Sequence, residues 1–216
     1  MTQPLDLFTY YRSTSSYRVR IALALKGLDY NAIPINLIRD GGEHLKPEYR
    51  AINPQGRVPA LRIDDGVVIT QSTAIIEYLE ERYPERPLLS ANIELRARQR
   101  AVASLIACDI HPLHNVSVQN RLRALGHGED GVMQWIGHWI REGFAAVEQM
   151  IGAEGYCFDE TVPSIADVYL LPQIYAARRF NVELTACPRI LRVEKLALDH
   201  WAFQAAHPDA QPDKPE

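Results

Sequence analysis

The chain has 216 residues, enough for one large domain or two small ones, each with a real core. Its 47% hydrophobic and 23% charged content is that of a soluble globular protein, and a formal net charge of −4 argues against a nucleic-acid binder, whose footprint is usually basic. No apolar run approaches the roughly 18 residues that span a bilayer, and Met1-Thr2-Gln3-Pro4 lacks the basic and apolar regions of a secretory signal, so a cytosolic protein is expected. Cys108, Cys157 and Cys187 are an odd number with no C-x-x-C pair, which fits reduced, buried thiols rather than a disulfide framework or a zinc site.

In chain order, residues 5–10 form an apolar run that reads as a strand. Ser13, Thr14, Ser15 and Ser16 follow, and over residues 19–28 the apolar positions make a wide helical face that Gly27 closes. Hydroxyl residues at a helix entrance usually cap free N–H groups. A strand, a hydroxyl-rich turn and a helix N-terminus together can also hold an anion or stabilise a thiolate. Residues 30–37 alternate as a second strand, and residues 38–55 read as loop with one short helix around 47–51. Residues 60–63 and 67–70 flank Asp64-Asp65-Gly66, a hairpin signal. Residues 72–83 read as a helix, with Ile75, Ile76 and Leu79 on one side and Glu77, Glu80, Glu81 and Arg82 on the other. A strand-helix-strand unit needs a crossover, so the first two strands are expected to be parallel; the hairpin pair is antiparallel and the sheet mixed.

After a stretch rich in proline and small residues, 84–92, the character changes. Residues 93–125, 132–151, 164–180 and 188–206 carry helical spacing with no convincing strand among them. Ser164-Ile165-Ala166-Asp167 resembles a capping box with Asp as its acidic member. Residues 208–216, with three prolines, read as a loose tail. Two domains are expected, a small mixed α/β one and an all-helical one.

Three further pieces of the small domain bear on the hydroxyl turn. In Arg57-Val58-Pro59-Ala60 a proline enters a strand; a trans bond is the common case and a cis bond the alternative. Gln71-Ser72 sits between strand and helix, with Ser72 as the expected N-cap at a helix start that would welcome a carboxylate. Arg12, Arg18 and Arg20 crowd the entrance of the first helix, where cations oppose the macrodipole. They call for a negative partner, either an internal acid or an anionic ligand.

Ser13-Thr14-Ser15-Ser16-Tyr17-Arg18-Val19-Arg20-Ile21-Ala22-Leu23 resembles the signature of zeta-class glutathione transferases, a family that includes maleylacetoacetate isomerases. The similarity runs over almost the whole chain, through Asn53-Pro54, Val58-Pro59, Gln71-Ser72, Asp109-Ile110-His111-Pro112, Ala166-Asp167, Pro172-Gln173, Arg179-Phe180 and Gln211-Pro212-Asp213. The resemblance implies a thioredoxin-like glutathione-binding domain over residues 1–85, a linker at 86–92, a helical substrate domain at 93–207 and the loose tail. It also implies a cytoplasmic homodimer.

Glutathione is the implied cofactor. Carried over by position, Val58 before a cis Pro59 pairs with its cysteinyl part, and Gln71 and Ser72 hold its γ-glutamyl carboxylate. Ser13, Thr14, Ser15 and Ser16 surround its sulfur, Ser13 donates to the thiolate, and Tyr17 and Arg18 are further glutathione-binding positions. His44 meets the glycyl end, and His111, Asn115 and Ser117 stand where the helical domain contacts the site. The implied reaction is cis–trans isomerisation of maleylacetoacetate to fumarylacetoacetate in aromatic amino acid breakdown, by reversible thiolate addition, rotation and elimination. Its small diacid substrate calls for cations, for which Arg12 and Arg179 are the candidates, with His111 beside them; Arg179 reads equally well as a helix C-terminal charge.

Ser15 stands where the family often has a cysteine, which leaves Ser13 as the main catalytic hydroxyl with Ser15 in support. His111 stands where some relatives carry glutamine. The rival readings are a maleylpyruvate isomerase, whose extra arginines Asn115-Val116-Ser117 lacks, a general transferase or α-haloacid dehalogenase, and a non-catalytic binding module of the same fold.

Overall fold

The computed structural model describes residues 5–63 and 66–215; residues 1–4, Asp64-Asp65 of the expected hairpin turn, and Glu216 lie outside the described residues. The chain divides into two compact units, one of residues 1–87 and 200–216 and the other of residues 88–199.

In the first unit β1 (Leu5–Thr9) leads into α1 (Thr14–Lys26) and then β2 (Tyr30–Pro34). The helix is the crossover that lets β1 and β2 pair in parallel, Leu5 opposite Tyr30 and Thr9 opposite Pro34. After α2 (Pro47–Arg50), β3 (Ala60–Arg62) and β4 (Val68–Thr70) pair antiparallel, with Leu61 opposite Ile69. β3 also runs antiparallel to β1, Phe8 opposite Ala60, giving the strand order β2-β1-β3-β4. α3 (Ser72–Arg82) then buries Ile75, Ile76 and Leu79, the side that its apolar spacing marks.

α1 starts five residues before the apolar pattern suggests. Its first turns are polar yet buried, Thr14, Ser16, Arg18 and Arg20 included, so packing rather than local hydrophobicity sets that end. Its other end is closed by Gly27 at φ 68°, where an added Cβ would run into the Arg86 guanidinium. Lys26, in the last turn, pairs with Glu80 at 2.7 Å and donates to the Tyr83 carbonyl at 2.9 Å, fastening α1 to α3 and the residues that follow it.

The second unit holds α4 (Ile93–Ser104), α5 (Val116–Ala124), α6 (Glu129–Met150), α7 (Ile165–Arg179) and α8 (Pro188–Asp199). The single helix expected over 93–125 is broken: a π turn, Leu105–Ile110, is followed by a 3-10 turn, His111–His114, and Asn115 caps α5. Pro112 is the cause, since it can neither donate to an α-helical ladder nor fit beneath the preceding turn. The expected capping box of α7 is present: Asp167 accepts from the Ser164 N–H at 2.8 Å and also from the Cys157 N–H at 2.8 Å. Burial, and then Asp167, push the Cys157 thiol well above its usual range. Cys108, expected to be buried, is exposed.

The helix expected over 188–206 is broken too. The His200 ring accepts from the Ala202 N–H at 3.2 Å and caps a separate short helix, α9 (Trp201–Ala206), at the point where the chain returns to the first unit. Residues 208–215 are not a loose tail. Gln211 is buried, donating to the carbonyls of Ala205 and His207 at 3.0 Å each, and Asp213 accepts from the Tyr11 N–H. No helix among the described residues is long and apolar enough to cross a membrane.

Candidate active site

Beyond β1 the chain turns through residues 10–13, closed by the Ser13 N–H donating to the Tyr10 carbonyl at 3.0 Å. Ser13 has extended backbone and caps α1, its Oγ accepting from the Ser16 N–H at 3.2 Å. That bond uses an oxygen lone pair, so the hydroxyl hydrogen is left for another acceptor. Ser13 and Ser15 are half-buried, whereas Thr14 and Ser16 are buried, and the Ser16 Oγ has no partner among the described residues. The first turn of α1 contains no acid, so its positive end is not offset locally. The Tyr10 phenol is pushed up to about 12 by burial and by its neighbour Tyr11, and so stays neutral at ordinary pH.

Tyr17 and Arg18, expected to bind glutathione, are turned inward. The Tyr17 ring lies wholly in the core with its hydroxyl 3.5 Å from the Phe203 carbonyl, and Arg18 Nη1 donates to Ser72 Oγ at 3.5 Å. Arg20 is buried as well, and neutral oxygens of the chain receive its guanidinium. Of the three arginines at this entrance only Arg12 stays partly exposed, its guanidinium 6.0 Å from the centre of the Tyr11 ring.

The loop before β3 is fixed by two side chains that converge on one carbonyl. Asn53 Nδ2 and the Tyr49 hydroxyl donate to the Arg57 C=O at 2.6 and 2.7 Å. Gly56, at φ 61°, lets this loop pass the His44 carbonyl, which an added Cβ would approach to 2.9 Å. The Val58–Pro59 peptide is cis. Among the described residues neither the N–H nor the C=O of Val58 has a hydrogen-bond partner. His44 is half-buried and its Nδ1 lacks a partner; burial, and then Arg50, hold its imidazole below the usual range and hence neutral at pH 7.

Gln71, not Ser72, is the cap of α3. It sits at φ 69°, ψ 121°, a conformation that costs a non-glycine residue about 1–3 kcal/mol, and its amide donates to Gln55 Oε1 at 2.7 Å. Ser72 is the first helical residue, its Oγ accepting from Arg18. Gln55 was not singled out from the sequence, although it lies two residues beyond the Asn53-Pro54 motif. The first turn of α3, like that of α1, contains no acid. Two positive helix ends, an unpaired main-chain donor and acceptor, and a hydroxyl with a hydrogen to give make a donor set that suits an extended peptide with an anionic end and a sulfur.

The remaining expected residues lie in the second unit. The His111 ring stacks on His114 with centroids 5.2 Å apart and an angle of 13°. His114 is 3% exposed; its Nε2 meets the Gln173 side-chain amide at 2.9 Å, and its ring meets the edge of Phe180 at 5.6 Å. Arg179, exposed in the last turn of α7, lies 4.6 Å over the Phe180 ring. His111 and Arg179 therefore belong to one cluster, joined through His114 and Phe180. Sequence reasoning missed His114, two residues beyond the His111-Pro112 motif, and gave no role to Gln173, although Pro172-Gln173 is itself a motif shared with the family. Asn115 caps α5, its Oδ1 accepting from the Ser117 N–H at 3.3 Å and the Ser117 hydroxyl at 3.5 Å, so these two are occupied with each other. Arg178 is paired with Glu194 at 2.6 Å. No group of three or more His, Cys, Asp or Glu residues among the described residues is arranged to hold a metal ion.

Residues 7–87 match the family model described as glutathione S-transferase, N-terminal domain. The chain is 65% identical to the maleylacetoacetate isomerase of Pseudomonas aeruginosa, over 98% of this chain and 99% of that one. Among solved structures it resembles a holo maleylpyruvate isomerase, described as a bacterial zeta-class glutathione transferase, with TM-score 0.91 and 43% identity over 97% of this chain and 100% of that one. It also resembles the maleylacetoacetate isomerase of Methylobacterium extorquens AM1 with bound malonate and glutathione, with TM-score 0.90 and 35% identity over 98% and 100%. The sheet unit is the thioredoxin-like domain and the helical unit the second domain of that architecture. By identity, coverage and fold, the chain belongs to the zeta-class glutathione transferase and maleylacetoacetate isomerase family.

Proposed function

We propose that the protein is a glutathione-dependent isomerase that converts maleylacetoacetate to fumarylacetoacetate, with glutathione transferase activity from the same site. The observation that carries this reading is Ser13, whose oxygen accepts from the helix entrance while its hydrogen stays available at the positive end of α1. A free thiol with a pKa near 8.5 is only about 3% ionised at pH 7, and lowering it by two units raises the thiolate about 25-fold for about 2.7 kcal/mol. A hydrogen bond to a charged group contributes about 1.5–3 kcal/mol and a helix terminus about 0.3–1, so one hydroxyl and one helix suffice.

Glutathione, when bound, supplies a thiolate whose reversible addition makes the cis double bond a rotatable single bond. The chain does the rest. Val58 offers its free N–H and C=O to the peptide, the entrance of α3 at Gln71 and Ser72 takes a carboxylate, and the unpartnered Nδ1 of His44 suits the glycyl end. Ser13 keeps the sulfur ionised with Ser15 in support, while Thr14, Ser16, Tyr17 and Arg18 hold the turn from below. Arg12 is the cation of the first unit for a carboxylate of the diacid and for the negative charge that builds on its carbonyl oxygen; Arg179, with His111 in its cluster, is the candidate cation of the second unit. We assign the protein to the cytoplasm as a homodimer, acting on a small diacid without nucleic acid or membrane.

The choice between diacids rests on 65% identity to a maleylacetoacetate isomerase, against a 43% identical structure of a maleylpyruvate isomerase. Rates measured side by side decide it: maleylacetoacetate is expected to react faster, and Arg12→Ala and Arg179→Ala each to lower kcat/KM about tenfold or more. A preference for maleylpyruvate would reassign the substrate, and unchanged rates in both variants would remove the diacid clamp.

A further inference from the structure

The turn that presents Arg12 and Ser13 is held by groups from far along the chain. The peptide between Tyr10 and Tyr11 is clamped on both edges. Its carbonyl accepts from the Ser13 N–H at 3.0 Å and from Arg20 Nη1 at 3.3 Å. Its N–H donates to Asp213 Oδ2 at 2.8 Å, a bond across 202 positions of sequence. The next carbonyl, of Tyr11, accepts from Arg20 Nη2 at 2.9 Å, and Arg20 Nε is itself anchored on the Ala206 carbonyl at 3.0 Å. Because a peptide unit is planar, fixing both its edges fixes the direction in which the chain enters Arg12 and Ser13. The carboxylate makes the outer edge a charge-assisted bond, stronger than one between neutral groups.

We infer that Asp213 is a positioning residue of the reaction, a carboxylate from the C-terminal segment that sets the turn carrying the thiolate donor Ser13 and the substrate cation Arg12. The role rests on the proposed function. It explains why a segment with three prolines and no regular helix beyond Ala210 is nevertheless packed: Gln211 anchors it to α9, and Asp213 reaches the turn. It also gives the cationic entrance of α1 an acid from the opposite end of the chain.

The test uses the full chain and three variants. In glutathione-free protein, Asp213→Ala is expected to speed hydrogen exchange of the Tyr11 amide, while Gln211→Ala, which removes the bonds to Ala205 and His207 but keeps the carboxylate on the Tyr11 N–H, leaves it near the wild-type rate. With glutathione, Asp213→Ala is expected to lower kcat/KM about tenfold or more, as misplacing a reacting group does. The thiol of bound glutathione should then titrate at higher pH, read by its ultraviolet thiolate absorbance. Asp213→Asn, which keeps a carbonyl acceptor, is expected to recover most of the rate, and Gln211→Ala to stay near wild type. Three results would overturn the role: unchanged kcat/KM and thiol titration in Asp213→Ala, an equal loss in Gln211→Ala, or a thiol titration moved downward in both Asp213 variants, which would mean that only the charge matters. Wild-type protein without glutathione-dependent turnover would overturn the proposed function and this role together, whereas failure on substitution alone overturns only the role.

Discussion

At the turn after β1 and at the loop before β3, the groups left open to a ligand are largely main-chain ones: the N–H and C=O of Val58 and the entrances of α1 and α3. At the end of α7 they are side chains, Arg179 and the stacked His111, supported by His114, Gln173 and Phe180. A main-chain site recognises the shape of a peptide and is indifferent to small changes in the residue that carries it; its specification lies underneath, in buried Arg18, Arg20 and Asn53. A side-chain site changes its ligand with one substitution. On this reading the first unit fixes the cofactor and supplies Arg12 to the diacid, and the second supplies Arg179 and His111.

Substitutions test that contrast in descending order of effect. Ser13→Ala removes the one side-chain donor that the first site requires, and kcat/KM is expected to fall roughly 10- to 150-fold, the equivalent of one hydrogen bond to a charged sulfur, with Ser15→Ala much milder. Steady-state rates with a fixed diacid check this, and equal effects at the two serines would move the thiolate donor. Gln71→Gly acts on the backbone. It relieves the φ 69° conformation and is expected to raise stability by about 1 kcal/mol while weakening glutathione binding, read by thermal melting and titration calorimetry. A lower melting temperature would show that Gln71 is not strained for the sake of the site.

The smallest effect is on pH. Burial holds His44, His200 and His207 below the ordinary imidazole value, and all three belong to the first unit. The unfolded chain then binds more protons than the folded one as pH falls through that value of about 6.5, so stability declines below it and is unaffected above it. Melting curves between pH 8 and about 5.5 should show a flat region followed by a decline. A rise toward acid would contradict the sign.

Much of this was legible before the structure. The strands, their parallel and antiparallel pairing and the helix stops at Gly27 and Pro84 follow from period-two runs, turn residues and the need for a crossover. The true start of α1 was not, because Thr14, Ser16, Arg18 and Arg20 are polar residues buried by contacts made elsewhere in the chain, and a hydrophobic pattern marks such residues as outside. The breaks at residues 111–115 and at His200 were hidden by apolar spacing that continues through them, with Pro112 the one local sign. Within the site, Ser13, Val58 and Gln71 stood out through short motifs. Asp213 stood in the Gln211-Pro212-Asp213 motif without a role, and Gln55 did not stand out at all, since their partners lie 202 and 16 positions away. Tyr17 and Arg18 were expected to bind glutathione as part of the signature stretch, but on a helix the residue beside a cap points into the core as readily as out of it.

The most direct test of the account is a balance of glutathione during turnover. Purified protein is given maleylacetoacetate in large excess over glutathione, and both the isomer formed and the free thiol are measured. The account predicts many molecules of trans product per molecule of glutathione, with the thiol recovered in full. Loss of one glutathione for each substrate consumed would contradict it and make the protein a conjugating transferase.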